Sequence, residues 1–179
     1  GASQTFTITC PEIHNPCAVI DPIVCAIPVT AVIPPGFGAF DTVGQFCAQY
    51  YSYYYHPGKE VIYSFTAVIS GIHHIEVIST DYNQANFMFK EAALGCDADN
   101  WKCIGFTAYP GSLYTTTALI AGTTYYFMVD ASTGTGATST FAIYCDPPYD
   151  PCPAISSISC GTPVSFSIPE GRGGLMTFV

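Results

Sequence analysis

The chain has 179 residues, enough for one ordinary domain with a full hydrophobic core and for little more. Only 9% of them are charged: Lys59, Lys90, Lys102 and Arg172 stand against thirteen acids, for a formal charge of -9. No basic surface can therefore neutralise a run of phosphates, which excludes nucleic acid as a partner, and no apolar stretch reaches the roughly 18 to 20 residues that span a bilayer.

Sixteen Gly and fourteen Pro among abundant Tyr, Phe, Val, Ile and Thr argue for strands and tight turns rather than long helices. Nine cysteines in so lightly charged a chain imply an oxidising compartment, because cytosolic thiols are kept reduced. The expected location is extracellular or at the cell surface, after secretion. The first residues, Gly1-Ala2-Ser3, show neither an initiator Met nor a signal peptide, so a mature or internal fragment is expected.

In chain order, Thr5-Phe-Thr-Ile-Thr-Cys10 reads as a short strand, and a Pro-rich stretch leads to Cys17. Residues 45 to 56 then hold the run Tyr50, Tyr51, Tyr53, Tyr54 and Tyr55. In a strand, Tyr51, Tyr53 and Tyr55 face one way and Tyr50 and Tyr54 the other, so a monomer would expose a large aromatic patch on one side. The run is a candidate contact between neighbouring units or chains, or a platform for stacking sugars; one face in the core and scattered surface tyrosines on the other is the plainer alternative.

Period-2 alternation follows. Val61, Tyr63 and Phe65 share a face, as do Ile75 and Val77, Phe87 and Phe89, then Tyr125, Phe127 and Val129, and last Phe141 and Ile143. Turn signals separate these segments at Pro57-Gly58, Ser70-Gly71, Pro110-Gly111, Ala121-Gly122 and Gly134-Thr-Gly136. With no helical pattern between them, the strands predict an all-β fold, an antiparallel sandwich or barrel.

The last part of the chain repeats the first. Cys10, Cys17 and Cys25 recur as Cys145, Cys152 and Cys160, each displaced by 135 residues, and Phe6, Pro16, Pro28, Ile33-Pro34, Gly36 and Gly38 recur at the same shift. The expected organisation is a closing strand of a preceding unit (1–10), a linker (11–16), one complete sandwich unit (17–145), a second linker (146–151) and the opening part of a following unit (152–179). Cysteine spacing suggests the pairs Cys10–Cys17, Cys25–Cys47, Cys96–Cys103 and Cys145–Cys152, with Cys17–Cys25 as a competing pairing and the partner of Cys160 beyond the C-terminus. Pro-rich linkers closed by their own cystines would be stiff joints.

Candidate chemistry is sparse. His73 and His74 point to opposite faces of a strand and cannot chelate one ion together, and His56 stands apart from them. Asp97 and Asp99 place alternating oxygens in a loop and are the calcium candidates, but the Gly and distant Glu of an EF-hand loop are absent, so a solvated loop is the expected reading. No Gly-x-Ser-x-Gly elbow is present, and no Asn-x-Ser/Thr acceptor site either. The expectation is a non-catalytic chain with no required cofactor.

The stretches Pro57-Gly-Lys-Glu-Val-Ile-Tyr-Ser-Phe-Thr-Ala67, Gly71-Ile-His-His-Ile-Glu-Val77, Leu119-Ile-Ala-Gly-Thr-Thr-Tyr-Tyr-Phe-Met-Val-Asp130 and Ser139-Thr-Phe-Ala-Ile-Tyr144 resemble the bacterial pre-peptidase C-terminal domain. That resemblance implies a jelly-roll-like β-sandwich, found in tandem in large secreted surface proteins. It covers most of residues 17 to 145; the tyrosine run has no place in the family pattern. Taken with the repeat, it implies a segment of an extracellular filament or long cell-surface adhesin whose partners are neighbouring copies of the same unit. A module that binds a polysaccharide or cell surface, and an accessory domain of a secreted hydrolase, are the alternatives. Units joined in one long polypeptide are preferred over strand exchange between short chains.

Overall fold

The computed structural model describes residues 4–5, 14–40, 58–81, 83, 85–106, 109–145 and 160–161. The chain divides into two compact units, Gly1–Cys145 and Asp146–Val179. In the second, Cys160 and Gly161 form a turn, with the Cys160 thiol exposed and free.

Among the described residues of the first unit there are nine strands: β1 (Asp21–Ile23), β2 (Val29–Ile33), β3 (Glu60–Thr66), β4 (His74–Thr80), β5 (Ala85–Glu91), β6 (Lys102–Phe106), β7 (Leu113–Thr115), β8 (Thr124–Ala131) and β9 (Ala137–Tyr144). A single 3-10 turn, Ala92–Leu94, is the helical structure among the described residues. Two sheets result, one ordered β1-β3-β8-β5-β6 and one ordered β2-β9-β4-β7. Every pairing is antiparallel except β1 with β3, which run parallel. The all-β sandwich expected from the alternation is thus the observed fold.

The alternating residues meet between the sheets. Tyr63, Phe65, Phe87, Phe89, Phe127 and Val129 from the larger sheet pack with Ile75, Val77, Phe141 and Ile143 from the smaller. The rings interlock edge to face, Phe87 with Phe141 at 4.9 Å and Tyr63 with Phe141 at 5.9 Å between centroids. Such pairs add about 0.5–1.5 kcal/mol to the burial of each ring. At one sheet edge the Tyr114 ring lies over Gly105, where a Cβ would run into it.

Alternation predicts one buried face per strand, and for the larger sheet that is too few. Its outer face carries a second core of Ile62, Met88, Met128 and Trp101, with Cys17, Ile20, Phe40, Cys96 and Ala98 packed over it. Strand β5 is buried at six successive positions. Segment 14–20 and loop 96–101 supply this cover, so β3, β5 and β8 form a middle layer.

The cysteines correct the expected pairings. Cys17 bonds to Cys96 and Cys25 to Cys145, with Cα atoms 5.9 and 5.6 Å apart. Hence Cys10–Cys17, Cys17–Cys25, Cys25–Cys47, Cys96–Cys103 and Cys145–Cys152 do not form. The physical reason is that sheet pairing brings together residues 79 and 120 positions apart, while short spacing in sequence does not aim Cβ vectors at one another. Neither linker is closed by a cystine of its own. Cys103 is also disulfide-bonded. Cys10, Cys47 and Cys152 lie outside the described residues, as does the tyrosine run 50–55 with His56.

His14 and Cys145 lie at opposite ends of the sandwich. The His14 ring donates from Nε2 to the carbonyl of Glu60, the first residue of β3, at 2.9 Å. At the other end, β3 finishes at Thr66 beside Thr124, β4 begins at His74 beside Tyr144, and Cys145 is tied to Cys25. Loop 24–28 is held there by a bond from Ala26 N to Ile143 O. With about 3.3 Å per residue, the eight-residue strands separate these ends by roughly 26 Å.

Candidate functional site

Two groups of buried polar side chains lie on the outer face of the larger sheet. Lys90 projects from β5 beside Met88, with its side chain wholly buried. A buried ammonium is costly unless several acceptors replace its water. Here Nζ donates to Asp97 Oδ1 at 2.7 Å and to the carbonyls of Asp97 and Asp99 at 3.0 Å each, and sits 4.9 Å from the Trp101 ring centre. Trp101 Nε1 donates to the same Asp97 carbonyl at 2.7 Å, and Asp97 Oδ1 accepts the Asp99 backbone N–H at 3.0 Å. Asn100 takes a left-handed φ of 65° to turn the loop inward.

Asp97 and Asp99, the calcium candidates of the sequence, are both exposed, as a solvated loop requires. Their loop does gather oxygens about a cation, but the cation is the chain's own ammonium. The Lys90 hydrogen bond and charge hold the Asp97 carboxyl below the usual carboxylate range. The solvated-loop reading holds for both carboxylates, while the acids alone gave no sign of the ammonium beneath them. The usable signal was Lys90, one of four cations, placed in the apolar run Phe87-Met-Phe89 seven residues before Asp97.

The second place is Glu60, 1% exposed at the start of β3. Oε1 accepts backbone N–H groups from Ala39 at 2.7 Å and Phe40 at 2.8 Å; Oε2 makes no hydrogen bond and lies 3.6 Å from His14 Nε2. Burial raises the Glu60 carboxyl above its ordinary range, against the hydrogen bonds that favour the charged form. In register beside it stand Asp130 on β8 and Asn86 on β5, both buried. Gly38 packs so closely that a Cβ would strike Glu60 Oε2 and the Gly58 carbonyl. Glu60 therefore clamps loop 34–40 onto the sheet and receives the incoming chain at His14. Sequence analysis did not single it out.

The histidines are separated as expected. His73 is fully buried, edge-on to Phe65 at 5.5 Å, with Nδ1 donating to the Gly71 carbonyl at 3.0 Å; burial lowers its pKa. His74 begins β4 on the opposite, partly exposed side. Among the described residues no three His, Cys, Asp or Glu side chains converge as a metal site. A cavity of about 320 Å³ opens near the outgoing end, lined by Phe89, Glu91, Asn100, Lys102, Ile120 and Tyr125.

Among the described residues no helix is long and apolar enough to cross a membrane. Cystines closing such long loops belong to proteins of oxidising compartments, outside the cell or in the periplasm. No family model and no curated protein matches the chain. Among solved structures, it is similar to the pre-peptidase C-terminal domain of a collagenase from Bacillus anthracis, with 12% identity, a TM-score of 0.42, and 70% of this chain and 94% of that one covered. It is also similar to PliG, a periplasmic inhibitor of g-type lysozyme from Aeromonas hydrophila, with 14% identity, a TM-score of 0.40, and coverage of 69% and 95%. Both likenesses are distant, and no residue role is carried over from either protein.

Proposed function

We propose that this chain is a non-catalytic segment of an extracellular array, a filament or long cell-surface adhesin, built of sandwich units that follow one another at a spacing of 135 residues. The observation that carries this reading is the placement of His14, beside Glu60, and of Cys145 at opposite ends of one unit. Units connected through such ends extend an array, whereas ends on the same side would fold successive units back on each other. The sequence supports it further, because Cys145 to Cys152 repeats Cys10 to Cys17 with the same spacing and the same Pro before the second cysteine. The four stretches that resemble pre-peptidase C-terminal domains fall on the two central strand pairs, β3 with β8 and β4 with β9, so they represent the framework of the unit.

Electron microscopy of the native material tests the reading. A strand length of roughly 26 Å plus a seven-step linker of at most about 25 Å bounds the expected axial repeat between roughly 26 and 50 Å. Denaturing, reducing mass measurement should show a very large species. Isolated globules with no axial repeat, together with a mass near 19 kDa, would overturn it.

A further inference from the structure

The outermost strand of a sheet turns a row of backbone N–H and C=O groups outward, a template for another strand unless something guards it. The two sheets end in β1, β6, β2 and β7, and three of these edges are guarded. Strand β1 is three residues long and holds Asp21 and Pro22, which offers no N–H. Strand β6 carries Lys102 and a break in register opposite Phe87 and Met88, and its Gly105 lies under the Tyr114 ring. Strand β7 has only three residues.

Strand β2 has no such guard. Its five residues, Val29-Thr-Ala-Val-Ile33, are uncharged and all but Ala31 are β-branched, a composition that favours pairing. It ladders to β9 on one side, and among the described residues no strand lies on the other. Val29, Ala31 and Ile33 face the core, while Thr30 and Val32 face outward. Large apolar side chains stand in water on the strand and beside it: Ile27 is 56% exposed, Val32 63% and Phe37 78%.

Charge and register name the strand that fits. Two copies of a chain of formal charge -9 repel through their acids, so a like partner approaches best where acids are absent. Residues 22–40 and all of β9 contain no Asp, Glu, Lys or Arg. Lys59, against Gly36, and the buried Glu60, bonded to Ala39 and Phe40, lie past the end of β2, and Asp81 bonds Thr138 one strand inward. Laid antiparallel on itself about Ala31, β2 sets Val29 opposite Ile33, Thr30 opposite Val32 and Ala31 opposite Ala31. Core-facing residues then meet core-facing ones, β-branched side chains pair across the strands, and the small residue falls on the two-fold axis.

We propose that the β2 edge pairs antiparallel with β2 of a second copy of this chain, joining two four-stranded sheets into one continuous sheet across a two-fold axis. The contact is lateral, between separate chains, and does not depend on the array reading.

Sedimentation velocity of the purified chain over a concentration series, with the exposed Cys160 thiol alkylated, tests this. A monomer–dimer equilibrium is expected, and hydrogen exchange of the amides in residues 29–33 should slow as the dimer fills. Thr30→Lys with Val32→Lys sets like charges directly opposite each other twice and should weaken the dimer by about tenfold. Thr30→Lys with Val32→Glu sets opposite charges at the same two places and should restore it. Both positions are exposed, so folding should survive, and the melting temperature checks it. A chain that is monomeric at every concentration overturns the proposal. So does a dimer whose exchange in residues 29–33 ignores concentration, or one that the two double variants affect alike.

Discussion

Cys25 and Cys145 stand 120 residues apart in sequence and 5.6 Å apart between Cα atoms, where the chain turns from β1 toward β2 and where it leaves β9. The bond between them locks the last strand to the first loop of the same unit, so pulling on the outgoing chain loads a covalent link and not only the β9 ladder.

Removing that bond should be costly. In a chain-entropy model, closing loops of this length contributes roughly 4 to 5 kcal/mol, and measured removals of native cystines cost about 2–5 kcal/mol. The double substitution Cys25→Ala/Cys145→Ala is expected to lower unfolding free energy by an amount in that range, read from the urea midpoint at unchanged slope. A midpoint equal to that of the parent would show that the ladder alone holds β9.

The repeat and the observed cystines together specify a third. Cys10 corresponds to Cys145 and Cys152 to Cys17, and both counterparts bond within one unit, so on the array reading Cys10 and Cys152 would pair with cysteines of adjacent units. That leaves Cys47 for the oxidised Cys103. Peptide mapping without reduction should recover a Cys47–Cys103 cross-link; Cys103 joined to Cys10 or Cys152 would refute the assignment.

Lys90 should behave as an internal cation. Lys90→Met removes the donor that organises three oxygens and is expected to cost about 1–3 kcal/mol, measured by denaturant titration. Adding millimolar calcium to the parent chain should leave its melting temperature unchanged, because Lys90 Nζ already holds the position between Asp97 Oδ1 and the carbonyls of Asp97 and Asp99. A calcium-dependent rise would make Asp97 and Asp99 a metal site.

Glu60 and Asp97 should pull stability in opposite directions with pH. The Glu60 carboxyl is raised above 4.5 in the folded state, so the native chain binds its proton more tightly than the unfolded chain. Stability therefore falls as pH rises from 4.5 through the folded value. The Asp97 carboxyl is lowered from 3.8, so its contribution is present above that value and is lost as pH falls through the depressed one. Glu60→Gln keeps an acceptor for Ala39 and Phe40 and should flatten the slope above pH 4.5. An unchanged slope in this variant would assign the dependence to other groups.

The framework was legible in the residues. Period-2 alternation located Tyr63, Phe65, Val77, Phe127 and Phe141, and all of them point into the space between the sheets. Two-sided burial was not legible, because Ile62, Met88 and Met128 read as the solvent side until segment 14–20 and loop 96–101 are laid over them. Glu60 and Lys90 escaped notice for a related reason. A charged residue in a strand pattern looks exposed, and its burial depends on acceptors and donors that arrive from distant loops.

Read alone, the residues settle the all-β class, the positions of the inter-sheet core and the oxidising environment, since each follows from local periodicity or from composition. Cystine partners, the cation inside the Asp97 loop and the placement of His14 and Cys145 at opposite ends belong to the tertiary structure. They depend on which segments the sheets bring within a few ångströms across 79 or 120 residues of chain, and spacing along the chain carries no record of that distance.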